Sequence, residues 1–149
     1  AETRAGGAVP EETLREIEVL ERELQALLAL AEGRSEAAVS LLEEATEMEE
    51  SRPLEYGPPD IVKPSHELLG EILLELGRPG LAKEKFETAL ERAPRRALSL
   101  AGLARAAAAS GDLDRATEAC EELRSVRKDA VETASIPRVC GGAGGDRAG

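Results

Sequence analysis

The chain has 149 residues, 30 of them acidic and 19 basic, for a formal charge of -11, and its aromatic residues are Tyr56 and Phe86 alone. That length suits one ordinary domain or a short array of helical units, and an interior built from aliphatic side chains disfavours sandwiches and barrels. Nucleic acid and membrane are disfavoured as partners: phosphate contacts need clustered Lys and Arg, base stacking needs aromatics, and no run nears the ~18 apolar residues of a membrane span.

Residues 12 to 51 read as a helical hairpin. Leu14, Ile17, Leu20, Leu24, Leu27 and Leu28 recur at helical spacing, as do Ala38, Leu41, Leu42, Ala45 and Met48. Gly33 divides the two helices, and Ser35 is the expected N-cap of the second, its hydroxyl accepting an orphan amide of the first turn. This front part is strongly acidic: residues 1 to 55 hold 15 acidic and 5 basic side chains, whereas residues 56 to 149 hold 15 and 14. A basic peptide or protein is therefore the electrostatically favoured partner.

Residues 52 to 64 form a proline-rich insertion, "RPLEYGPPDIVKP", through which neither a helix nor a central strand can continue. Tyr56, Pro58, Pro59, Lys63 and Pro64 make it either a rigid spacer that resets the stack of hairpins or a loop over the mouth of a groove. Helices are expected at Ser65 to Leu76, Gly80 to Ala93, Ala97 to Ser110 and Leu113 to about Arg127, separated by "GRPG", "PRR" and "GD". The sequence thus predicts six helices in three hairpins.

Beyond residue 130 the periodicity fades, and residues 131 to 149 are expected to be a mostly disordered tail. Asp129 and Glu132 have the spacing of a capping box for a short final helix that Ile136-Pro137 would end. "GGAGG" neither follows a strand nor opens a helix, so it is no dinucleotide loop. Cys120 reads as a small core hydrophobe and Cys140 as a residue of the flexible tail; two thiols without Cys-x-x-Cys spacing leave the redox compartment open. The first residue is Ala, which suggests a processed product or a segment of something longer. A soluble protein is expected; its compartment is left open, with the cytoplasm favoured over the periplasm or secretion.

A repeat runs through these elements. A shift of 34 residues places Leu69 on Leu103, Gly77 on Gly111, Ala82 on Ala116 and Phe86 on Cys120. A shift of 44 places Gly33, Ala38, Leu42 and Ala45 beneath Gly77, Ala82, Phe86 and Ala89, and the extra ten residues match the insertion. With Leu69-Gly70 in its first helix, Ala82, Phe86 and Ala89 in its second and Pro94 at the exit, the segment from 65 to 96 resembles a tetratricopeptide repeat. His66 stands where that family usually has Trp, and Leu73 replaces the usual Tyr. The segment 97 to 130 is a degenerate repeat, with Ala104 after Leu103, Cys120 for the aromatic and Lys128 for the proline. The first hairpin keeps mainly Ala38, Leu42 and Ala45. A proline-rich run leading into Glu-Leu-Leu-Gly-Glu also resembles a stretch of longer bacterial tetratricopeptide-repeat proteins.

The resemblance implies an all-α, right-handed solenoid of three antiparallel hairpins and a protein-binding scaffold without cofactors. Its concave face would carry Glu67, Glu71, Leu74, Glu75, Leu98, Ala101 and Arg105. Glu67, Glu71 and Glu75 at successive helical turns read either as an acidic groove for a basic segment or as a solvated face paired with Arg105. Members of the family that clamp acidic chaperone C-termini use Lys, Asn and Arg here; Glu67, Glu71 and Ala101 depart from that pattern. Leu98, Ala101, Ala108 and Ala109, and Leu20, Leu27, Leu30 and Ala31 in the first unit, suit an amphipathic helix or extended peptide, or a neighbouring repeat. Self-association through the apolar ends is a further expectation.

The stretch "HELLG" from His66 also fits four letters of a zinc-protease helix, which makes a metal-dependent enzyme centred on His66 the alternative. Such a site needs a second histidine four residues on and a third ligand. Gly70 stands in that place, and His66 is the only histidine of the chain. Gly70 is therefore expected to be a packing residue and His66 a first-turn residue set against the proline loop.

Overall fold

The computed structural model describes residues 8–52, 63–129 and 136–141. Among them every regular element is helical: α1 (Glu11–Ala31), α2 (Ser35–Glu50), α3 (Ser65–Glu75), α4 (Pro79–Arg92), α5 (Ala97–Ala109), α6 (Leu113–Asp129) and a 3-10 turn, Arg138–Cys140. The chain divides into two compact units, Ala1–Pro53 and Leu54–Gly149. The first holds the hairpin α1–α2. The second stacks the hairpins α3–α4 and α5–α6, with α5 packed against α3, α4, α6 and the 3-10 turn.

The repeat is written into the hydrogen bonds of the turns. Gly33, Gly77 and Gly111 have φ of +78°, +72° and +85°, a left-handed conformation that a Cβ makes costly. In each case the glycine N–H returns to a carbonyl three residues back and the next N–H to one five residues back: Leu30 and Ala29, Leu74 and Leu73, Ala108 and Ala107. Each turn thereby satisfies the last carbonyls of one helix and launches the next, whose first bond runs from Ala38, Ala82 or Ala116 to Arg34, Arg78 or Asp112. The Arg34 carbonyl is thus where α2 begins, Ser35 lies already inside the helix, and no side chain caps it. This corrects the expected Ser35 cap. In the third hairpin the equivalent residue does cap, since Asp112 Oδ1 accepts the Arg115 N–H at 3.2 Å.

In the first unit, Val19, Ala26 and Ala29 of α1 face Ala38, Val39, Leu42 and Ala45 of α2. Side chains this small bring the two helix axes close. Most leucines of α1 do not join that core; Leu14, Leu20, Leu24, Leu27 and Leu28 are all exposed, and Leu30 is half-buried.

In the second unit Phe86 of α4 is wholly buried between two glycines. A Cβ built on Gly70 of α3 would stand 3.0 Å from the ring atoms Cε2 and Cζ, and one built on Gly102 of α5 would stand 2.8 Å from Cδ1 and closer still to Cε1 and Cζ. Phe86 thus fills space that two helices open by omitting their side chains. Beyond it Leu100, Ala101 and Leu123 form the inner cluster of the α5–α6 hairpin, flanked by Leu90, Ala97 and Val126.

At the position of α6 equivalent to Phe86, the chain solves the same packing problem covalently. Cys120 is bonded to Cys140, the last residue of the 3-10 turn, and both are buried. The turn packs on α5 and α6, and the Arg124 guanidinium donates to the Cys140 carbonyl. Two expectations are corrected: Cys120 is not a free core thiol, and residues 136–141 are held on the last hairpin rather than belonging to a disordered tail. The expected Asp129–Glu132 capping box falls partly outside the described residues, and Asp129 is the last residue of α6.

Candidate functional site

The residues expected on the concave face come from α3 and α5, whose matching positions are 34 residues apart. Their surroundings differ from one another more than their helical register suggests.

Glu67, in the first turn of α3, has no solvent exposure. Its carboxylate accepts the Arg96 guanidinium through Nε at 2.7 Å and Nη2 at 3.0 Å, and also the Ser99 hydroxyl. A bidentate fork on a desolvated carboxylate leaves it no capacity for an outside ligand. Glu67 is therefore an internal clasp between α3 and the start of α5 instead of an exposed groove carboxylate. Glu71, half-buried one turn later, pairs with Lys63 at 2.6 Å. The solvated-face reading is right that Glu71 is paired, but Lys63 at the end of the insertion supplies the cation and Arg105 does not. Among the described residues no hydrogen bond or ion pair engages Glu75 or Arg105, and both are exposed.

The apolar members also separate. Ala101 is buried in the cluster with Leu100 and Leu123, Leu74 is half-buried, and Leu98 is 48% exposed. Of the residues expected on the concave face, those that reach solvent without an ion pair are Leu74, Glu75, Leu98 and Arg105, with the Glu71–Lys63 pair beside Glu75 in sequence. This strip is apolar with one charge of each sign, and so less acidic than three glutamates at helical spacing imply.

His66 is buried in the first turn of α3; residues 53 to 62, which carry the proline loop expected against it, lie outside the described residues. Of the two carboxylates that a metal site there would borrow, Glu67 is committed to Arg96 and Ser99, and Glu71 pairs with Lys63. No group of three His, Cys, Asp or Glu side chains among the described residues is arranged to hold a metal ion.

Two further polar contacts join the hairpins of the second unit on its outer side. Lys83 Nζ of α4 meets Asp112 Oδ2 at 2.8 Å, and Glu87 meets Arg115 at 3.1 Å. The hydrogen bond from Lys83 holds the Asp112 carboxyl below its ordinary value, helped by the Arg115 backbone amide, and the same bond raises Lys83. These half-buried surface pairs align neighbouring hairpins.

Neither the Glu67 clasp nor the glycine seat of Phe86 at Gly102 was named by the sequence reading. Both left a signal. Gly102 is a glycine inside a run of strong helix formers, which costs ~1 kcal/mol and so asks for a packing reason. Glu67 and Arg96 stand 29 residues apart, near the repeat length, where two first turns come together. No helix of the described residues is long and apolar enough to cross a membrane.

Residues 68–130, somewhat less than half of the chain, match the family model described as "Tetratricopeptide repeat". No curated protein matches the sequence.

Proposed function

Proceeding from the tetratricopeptide repeat at residues 68–130, we propose that this chain is a non-catalytic scaffold that receives a peptide or helix of a partner protein along α3 and α5. Solenoid repeats stack so that their first helices line one continuous surface, and such surfaces serve as docking faces for other proteins. The receiving strip consists of Leu74, Glu75, Leu98 and Arg105, with Glu71 at its edge; Glu67 and Ala101 serve beneath it as structure. The observation that carries this reading is the exposure of Leu98 and Arg105, two turns apart along α5, a helix most of whose residues are buried. The partner segment is amphipathic, with an apolar side chain for Leu98 and an acidic one for Arg105.

The buried Cys120–Cys140 bond favours an oxidising compartment over the cytoplasm, since thiol-reducing systems keep such pairs open.

Incorporating a photo-crosslinking residue at Leu98 tests the proposal, with Thr117 on the exposed side of α6 as the control position. Crosslinks to one protein from Leu98 and none from Thr117, lost on Arg105→Glu, are the expected result. Equal capture from the two positions would remove this face from the function.

A further inference from the structure

The most exposed apolar surface among the described residues lies on α1, which the repeat match does not reach. At about 100° per residue, the face of α1 turned to α2 is centred on Val19, Glu23 and Ala26. Roughly a third of a turn away runs a second apolar line: Ile17, Leu20, Leu24, Leu27 and Ala31. Their spacing of three and four residues is that of a heptad seam over two full repeats. All five are exposed, Ile17 at 53% and Leu24 at 61%. Single exposed leucines are ordinary, but a continuous line of them at heptad register marks a surface that meets another helix.

The charges beside the seam select its occupant. Glu16 borders it on one side and is engaged by Arg52, while Arg15 and Arg22 fall on the opposite side of α1, where they pair with Glu11 and with Glu44 of α2. Glu21 at the other border faces no cation among the described residues and accepts only from Gln25. The hairpin as a whole is acidic, with 15 acidic and 5 basic residues before position 56. A second copy of α1 would set this negative charge against itself in either orientation, which costs affinity and slows encounter.

We infer that the outer face of α1 is a docking seam for one amphipathic helix of a partner protein whose apolar line is flanked by Lys or Arg. The helix lays its own a and d side chains between Ile17, Leu20, Leu24 and Leu27, and its basic flanks meet Glu21 on one side and the Glu16 border on the other. The residues of this seam belong to the first unit and those of the α3–α5 strip to the second.

Two fluorescent synthetic peptides of about three heptads test it on the full chain, both with Leu at a and d, one with Lys and the other with Glu at e and g. Anisotropy should show the Lys peptide binding at least tenfold tighter than the Glu peptide at low salt. Leu24→Gln should weaken it about tenfold; Leu24 supports no core, and circular dichroism verifies that the variant folds. Glu21→Lys should narrow or invert the preference between the peptides, while Arg105→Glu should leave it unchanged, which separates this inference from the proposed α3–α5 site. Absence of binding, equal affinity for both peptides, or indifference to Leu24→Gln overturns the inference. So does sedimentation that reveals a dimer dissolved by Leu24→Gln, because the occupant would then be a second copy.

Discussion

Replacing Gly102 with alanine sets two known effects against each other. Gly102 lies in the interior of α5 with a helical backbone, so alanine there should gain ~1 kcal/mol of helix propensity. The added methyl, however, would stand 2.8 Å from Cδ1 of Phe86 and closer to Cε1 and Cζ. The ring has no retreat, because its other edge faces Gly70, where a Cβ would already be 3.0 Å away. Overpacking of a filled core costs about 1–3 kcal/mol, and a ring pinned from two sides belongs at the upper end. The net expectation is a loss of about 1–2 kcal/mol from Gly102→Ala and a smaller change from Gly70→Ala. Urea unfolding followed by circular dichroism measures it. The decisive comparison is the same substitution in a Phe86→Leu background, where the shorter side chain clears the space and Gly102→Ala should become neutral or stabilising. Phe86→Ala alone should cost about 3–5 kcal/mol. A Gly102→Ala variant more stable than the parent, or equal effects in both backgrounds, would refute the picture of a ring seated between two glycines.

The Cys120–Cys140 bond closes a loop of 20 residues. Chain-entropy reasoning gives it about 3 kcal/mol, so Cys140→Ser or reduction should lower the melting temperature without removing helix signal from α1 and α2. Glu67→Gln keeps the shape of the clasp but removes its charge, and should cost about 1–3 kcal/mol. Glu71→Lys, at a half-buried surface pair, should cost less than about 1 kcal/mol, and a chemical denaturation series comparing the two glutamate variants separates clasp from surface pair. The Lys83–Asp112 pair predicts a pH dependence. Because the Asp112 carboxyl is depressed in the folded state, its contribution is whole above the ordinary value of 3.8 and is lost as pH falls through the depressed value. Lys83 is raised, so its share is whole below 10.5 and is lost as pH climbs through the raised value. The pair lies half-buried at the surface, so the effect should be slight and screened by salt. Thermal melts of Asp112→Asn between pH 2 and 5 should show a shallower acid decline than the parent, and an identical decline would contradict the assignment.

Local rules carried most of the fold because they act within a few residues. Gly33, Gly77 and Gly111 stop helices through a backbone conformation that L side chains resist, so their places were readable from spacing alone. The helix bounds followed to within a residue or two, and Gly70, expected to be a packing residue, is one, set against the Phe86 ring. The Ser35 cap failed because the Gly33 turn hands the first hydrogen bond of α2 to the Arg34 carbonyl, one residue before the hydroxyl can reach an amide.

Amino-acid order by itself determined the helical class, the three hairpins, the period and the acidic character of the front unit, since each depends on propensity, periodicity or charge along the chain. Only the tertiary structure decided which polar and sulfur groups leave water. Glu67 and Glu71 have the same chemistry and lie one helical turn apart, yet one is desolvated by Arg96 and Ser99 and the other reaches solvent beside Lys63. Cys140 lies in a stretch with no periodic signal and is buried because a turn brings it to Cys120. Such outcomes depend on distances between helices, which no pattern within a single helix contains.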